Sequence, residues 1–85
     1  MYEIRYSKQA VKTRLKMPKA IGEKIDTELG KIAKDPATYP GDWKRLKGSA
    51  FWRLRVGDWR AVCNVVKKEL IVYVLKIGSR GDVYK

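Results

Sequence analysis

The segment RLRVGDWRAV, Arg53–Val62, constrains the fold more than any other part of the chain. Two runs that alternate in polarity flank Gly57-Asp58. This is the pattern of a β-hairpin with a two-residue loop, in which glycine supplies the positive φ such turns require. That loop length sets a register: Val56 faces Trp59, Arg55 faces Arg60, Leu54 faces Ala61 and Arg53 faces Val62. Side chains alternate between the faces of a strand. Trp52, Leu54, Val56, Trp59, Ala61 and Cys63 therefore share one side, which is a core set. Phe51, Arg53, Arg55, Arg60, Val62 and Asn64 share the other. Three arginines gather there with no carboxylate among them, and like charges opposed across strands destabilise a sheet. Either they splay into water or an anion sits among them. The planar fork of arginine matches phosphate oxygens. A loop one residue longer would swap the faces.

The rest of the composition points the same way. Twenty Lys and Arg against nine Asp and Glu give +11 over 85 residues, which suggests a polyanionic partner: nucleic acid, an acidic protein or an anionic surface. The hydrophobic fraction of 45% is that of a globular chain rather than a disordered one. The length suits one domain, 1–85, with a modest core. No apolar run approaches the roughly 18–20 residues of a membrane-spanning helix, and MYEIRYSKQA has no signal-peptide core. A lone cysteine, Cys63, and no histidine argue against a metal centre and for no cofactor. The expected compartment is the cytoplasm.

Around the hairpin the chain reads β-α-α-β-β-β-β. Tyr2–Tyr6 alternates as a short strand, and Ser7 can cap a helix carrying Ala10, Val11 and Leu15 on one side. Met17-Pro18 interrupts that helix. Ile21, Ile25, Leu29, Ile32 and Ala33 then recur at spacings of three and four, one apolar stripe of a second helix that ends at Asp35-Pro36. Strands follow at roughly 44–47, 51–56, 59–66 and 70–77. The expected class is α+β: two N-terminal helices packed on a mostly antiparallel sheet of four to five strands, the other sheet face at least partly open.

Two registers are open for the last strand. A two-residue turn at Lys67-Lys68 puts Ile71, Tyr73, Leu75 and Ile77 on the arginine face. A three-residue loop that includes Glu69 sends those four to the core and places Lys76 beside Arg60. The second is preferred because it buries more apolar surface and lengthens the cationic stripe.

With LKGSAFWRLRVGDWRAVCNV and the tail VYVLKIGSRGDVYK both in view, the chain resembles the RelE/ParE toxin superfamily. Its members read like kL.g...yRlRvGdyRviy, then a strand and an ighR..vY ending. The resemblance implies a RelE-like, microbial-RNase-like fold and the toxin of a type II toxin–antitoxin system. It also implies a cognate acidic antitoxin that wraps the toxin. The RelE branch comprises metal-independent endoribonucleases that cut mRNA in the ribosomal A site. The ParE branch shares the fold but inhibits DNA gyrase without RNase activity. Residue by residue, Arg60 matches the hairpin arginine that stabilises the transition-state phosphate. Arg53 stands where the RelE branch has a catalytic lysine, Arg80 matches the arginine after the last strand, and Tyr84 the near-terminal tyrosine. Arg55 fits a substrate-phosphate position, and Lys76, Arg45 and Lys47 join it as RNA-binding positions. Phe51 departs from a further lysine of RelE itself, and Ser79 from a histidine of many relatives.

Cleavage of RNA by its own 2′-OH needs that proton removed, a crowded dianionic phosphate stabilised and the 5′ oxygen protonated. Arginine, with a pKa above about 12, serves the second task rather than proton transfer. Tyr84 is the best base candidate, since neighbouring cations favour its phenolate. Such a set is weak on free RNA and fits an enzyme whose substrate the ribosome positions. Each assignment has a plainer counterpart: Tyr84 as a packed terminal aromatic, Arg80 as a loop charge, and Trp43, Trp52 and Trp59 as core rather than base-stacking platforms. The leading expectation is a ribosome-dependent mRNA endoribonuclease with ribosome and mRNA as partners. The alternatives are a gyrase-binding toxin and a non-toxic RNA-binding domain.

Overall fold

The hairpin forms in the expected register. In the computed structural model, which describes residues 1–79, Arg55 lies opposite Arg60, Leu54 opposite Ala61 and Val56 opposite Trp59. Gly57 takes φ +60°. The elements are β1 (Glu3–Tyr6), α1 (Lys8–Lys16), α2 (Lys19–Lys34), β2 (Trp43–Arg45), β3 (Trp52–Val56), β4 (Trp59–Val66) and β5 (Ile71–Ser79). They form one five-stranded sheet in the order β1-β5-β4-β3-β2. Every neighbouring pair is antiparallel except β1 and β5. This is the α+β layout expected, with β2 starting and ending earlier than its sequence suggested. No helix among the described residues is long and apolar enough to cross a membrane.

Helix α2 lays its stripe on the sheet. Ile25, Leu29 and Ile32 are buried against Leu54, Val56, Ala61, Cys63, Val72, Val74 and Ile77. Helix α1 corrects its expected stripe. Ala10 is buried, but Val11 and Leu15 point outward at 43% and 79% exposure. The inward side is instead formed by Ala10 and by Met17 just past the helix. Apolar content alone does not identify the packed side of a nine-residue helix, where two turns admit more than one stripe.

Strand β5 follows neither expected register. The β4–β5 loop has four residues, Lys67–Leu70, because Val66 pairs with Ile71. Leu70 adopts φ +55° within it. Ile71 and Tyr73 therefore lie on the face away from the helices, while Val72 and Val74 are fully buried beneath them. The strand then bulges. Cys63 pairs with Val74 but its neighbour Val62 pairs with Lys76, so Leu75 is an extra residue. The bulge shifts the alternation by one place. It returns Ile77 to the core at 2% exposure and Lys76 to the arginine face, opposite Val62 rather than Arg60.

Ser7 pins this bulge. Its hydroxyl accepts from the Ala10 N–H (3.1 Å), capping α1, and donates to the Leu75 carbonyl (2.6 Å). Its own N–H donates to Val74 O (2.9 Å). Ser7→Ala removes the cap and leaves the Leu75 carbonyl short of a donor. It should cost about 1–2 kcal/mol in urea unfolding, and Ser7→Thr should recover most of that. A loss below about 0.3 kcal/mol would show that the bulge holds without it.

The helices and β1 are joined through Asp26. Its carboxylate accepts from Arg14 (2.8 and 3.1 Å) and from the Tyr6 hydroxyl (2.6 Å). Burial pushes the Asp26 pKa up, but these bonds outweigh it and hold the group below the usual carboxylate value. A depressed folded-state pKa contributes stability above the unfolded pKa of about 4 and loses it as pH falls through the folded value. Asp26→Asn should therefore be the less stable protein at pH 7, by about 1 kcal/mol or less given the half-exposed carboxylate. The gap should close below about pH 4. Parallel urea titrations at pH 7 and pH 3 read it.

Candidate functional site

The sheet face away from the helices carries the cations in rows. Lys44, Arg53, Val62 and Lys76 stand in register across β2, β3, β4 and β5. One row nearer the hairpin stand Arg55, Arg60 and Gly78. Val62, between Arg53 and Lys76, is only 6% exposed, so the cationic row has an apolar floor. Gly78 contributes no side chain beside Arg60. Five cations thus occupy two adjacent rows, and the pairwise Cβ spacing across strands is only about 4.5–5.5 Å.

The expectation that no carboxylate relieves them is corrected. Asp42, one residue before β2, pairs with Nη2 of Arg53. Its backbone carbonyl also accepts from the Arg55 N–H (2.9 Å). One residue therefore holds the positions of both β3 arginines. The Arg53 side chain is 16% exposed. Its Nε is buried and makes no hydrogen bond among the described residues, leaving a donor unspent. Arg55 donates from Nε to the Gly57 carbonyl (3.1 Å), which ties it to the hairpin loop. Asp42 escaped notice in the sequence because it joins this face only through the pairing of β2 with β3, across a loop whose length and shape no turn signal specifies. Lys44 escaped for the same reason.

Of the other residues that the sequence points to, Lys76 reaches this face by the bulge. Arg45 does not: it pairs with Trp52 and so lies on the helix side of the sheet, where its Nε donates to Ser49 O (3.2 Å). Lys47 is exposed in the β2–β3 loop. Arg80 and Tyr84 lie outside the described residues. Cys63 is fully buried and burial pushes its thiol up to about 12, so it is a core group and not a nucleophile. Trp43 is buried and stacks on Trp52, with ring centroids 5.2 Å apart.

What this face can do is hold negative charge. Several fixed guanidinium groups over an apolar floor suit a phosphodiester, whose charge grows on approach to a pentacoordinate state. A model of the family described as the ParE toxin of type II toxin–antitoxin systems, parDE, matches residues 4–84. The chain belongs to this family of toxins. It is also 28% identical over 85 residues to a RelE-like toxin protein of Escherichia coli, covering 98% of this chain and 90% of that one. The toxin superposes on the archaeal RelE of a RelE–RelB complex from Pyrococcus horikoshii with a TM-score of 0.81 at 27% identity, over 95% and 97% of the two chains. The isolated RelE toxin of E. coli matches at 0.81 and 20% identity, over 99% and 92%. That last similarity concerns the fold, which the two share from β1 to β5. Membership of the RelE/ParE superfamily, expected from the hairpin and the tail, thus holds across the chain.

Proposed function

We propose that this toxin is a ribosome-dependent endoribonuclease that cuts mRNA and so halts translation. The observation that carries the reading is the pair of cationic rows, with Arg55 directly across from Arg60 and Arg53 beside them. A protein that merely needed a soluble surface would gain nothing from opposing two arginines in register. In this reading Arg60 and Arg53 neutralise the scissile phosphate as the 2′-OH attacks, Arg55 and Lys76 hold flanking phosphates, and Arg80 and Tyr84 serve the leaving oxygen and the 2′-OH proton. The order of tasks follows from the groups available: arginines stabilise charge, and tyrosine, with a pKa of about 10, is the better base. The site lacks a histidine, and positioning by the ribosome makes up for weak proton transfer. An antitoxin, as in the RelBE toxin–antitoxin complex of E. coli, would lie across the +11 surface, and an acidic one would complement its charge.

The family description as a ParE toxin favours one other reading, a toxin that binds and inhibits DNA gyrase without cutting RNA. Primer extension on a reporter mRNA in a purified translation system separates the two. Cuts that need both the toxin and ribosomes support the nuclease. Uncut mRNA with inhibited supercoiling by purified gyrase supports the second reading.

A further inference from the structure

Arg45, set apart from the other cations by the register of β2, borders a cleft of about 510 Å³ on the far side of the sheet end. Trp52, Val65, Pro36 and two alanines form its apolar lining, and Lys67 and Asn64 its polar lining beside Arg45. Three features say what fits. Trp52 is half-buried and backed by Trp43 at an interplanar angle of 15°, so its ring is a braced platform rather than a mobile side chain. Arg45 and Lys67 are both exposed, and among the described residues no carboxylate lines the cleft. Asn64 pairs with Tyr73, which places it on the cationic face of the sheet, yet it also lines this cleft. Asn64 is thus a border residue shared by the cleft and the cationic face.

We infer that this cleft is a second nucleotide-binding site, taking one base of a single-stranded RNA that runs off the cationic face. The base stacks on Trp52 against Val65 and Pro36, and its flanking phosphates lie at Arg45 and Lys67. The volume lies within the roughly 300–1,000 Å³ of small-ligand sites. A braced aromatic in a cleft lined by cations is the arrangement by which single strands are held without strong sequence preference. An acidic peptide would use the two cations but leave the aromatic wall without a matching plane. This assignment rests on the RNA-directed reading of the toxin.

The test is a titration of the full-length, ¹⁵N-labelled toxin with a 2′-O-methylated RNA decamer that cannot be cut. The expected result is movement of the Trp52 indole N–H and of the Lys67 and Arg45 amides together with the arginine-face signals. Arg45→Gln/Lys67→Gln, two exposed changes that leave the core alone, should weaken binding about tenfold and lower the salt slope by about 1–2. Trp52→Leu should weaken it by a similar factor. The site is overturned if only arginine-face signals move, or if the double variant binds with native affinity and salt slope. It is equally overturned if a ten-residue polyglutamate peptide moves the cleft signals and the RNA does not. The two readings fail separately: absent cleavage with cleft shifts present removes the nuclease alone, and cleavage without cleft shifts removes the cleft alone.

Discussion

Arg60→Ala should cut mRNA at least about 100-fold more slowly than the native toxin while remaining folded. Losing one preorganised donor to a developing oxyanion typically costs about 10²–10³ in rate. Arg60 occupies the row beside Gly78 on the cationic face, with Arg55 directly opposite. The change removes no fully buried apolar group, so urea unfolding should stay within about 1 kcal/mol of native. Arg60→Lys keeps the charge but not the planar fork that grips two oxygens at once, and its cleavage should fall between the two. The measurement is the rate of cut product in the translation system beside an unfolding curve for each variant. Native-like cutting by the alanine protein would remove Arg60 from the reaction. A tenfold or smaller difference between alanine and lysine, both far below native, would say that geometry matters and charge alone does not suffice.

Ile25→Ala should be among the most destabilising single truncations on α2. Ile25, like Ile32, is 0% exposed in the stripe that faces the sheet. Such a deletion loses transfer energy and leaves a cavity, together about 2–5 kcal/mol. A domain of this size has only about 4–13 kcal/mol in hand. The variant should therefore lose a large fraction of its stability and melt about 10–25 °C lower. Val11→Ala, on the outward side of α1, should change stability by less than about 0.5 kcal/mol. If both variants melted alike, the packing of α2 on the sheet would be wrong.

These two predictions draw on parts of the molecule that differed in how well the residues announced them. The β3–β4 hairpin and the α2 stripe were legible because each depends on local rules. A Gly-Asp loop sets the register of its own two strands, and a 3.6-residue period selects one side of a long helix. Arg53, Arg55 and Arg60 thus fall on one face by local rules alone. The packed side of helix α1 is decided by where it sits over β5, not by its own short pattern. The register of β5 is hidden because its loop has four residues and its alternation is broken in mid-strand at Leu75. No residue type marks that bulge, which is held by a hydroxyl 68 positions away in the chain.

The candidate site divides along the same line. That a cationic face exists, and that three hairpin arginines form it, follows from sequence alone, because neighbours in a hairpin are determined by a two-residue loop. That Asp42 holds Arg53, that Lys44 and Lys76 complete the row, and that Arg45 leaves it for the cleft beside Trp52 were decided only by tertiary structure. Each depends on the pairing of strands whose connecting loops carry no register signal, or on a bulge. A shift of one residue in either would move the side chain to the opposite face of the sheet.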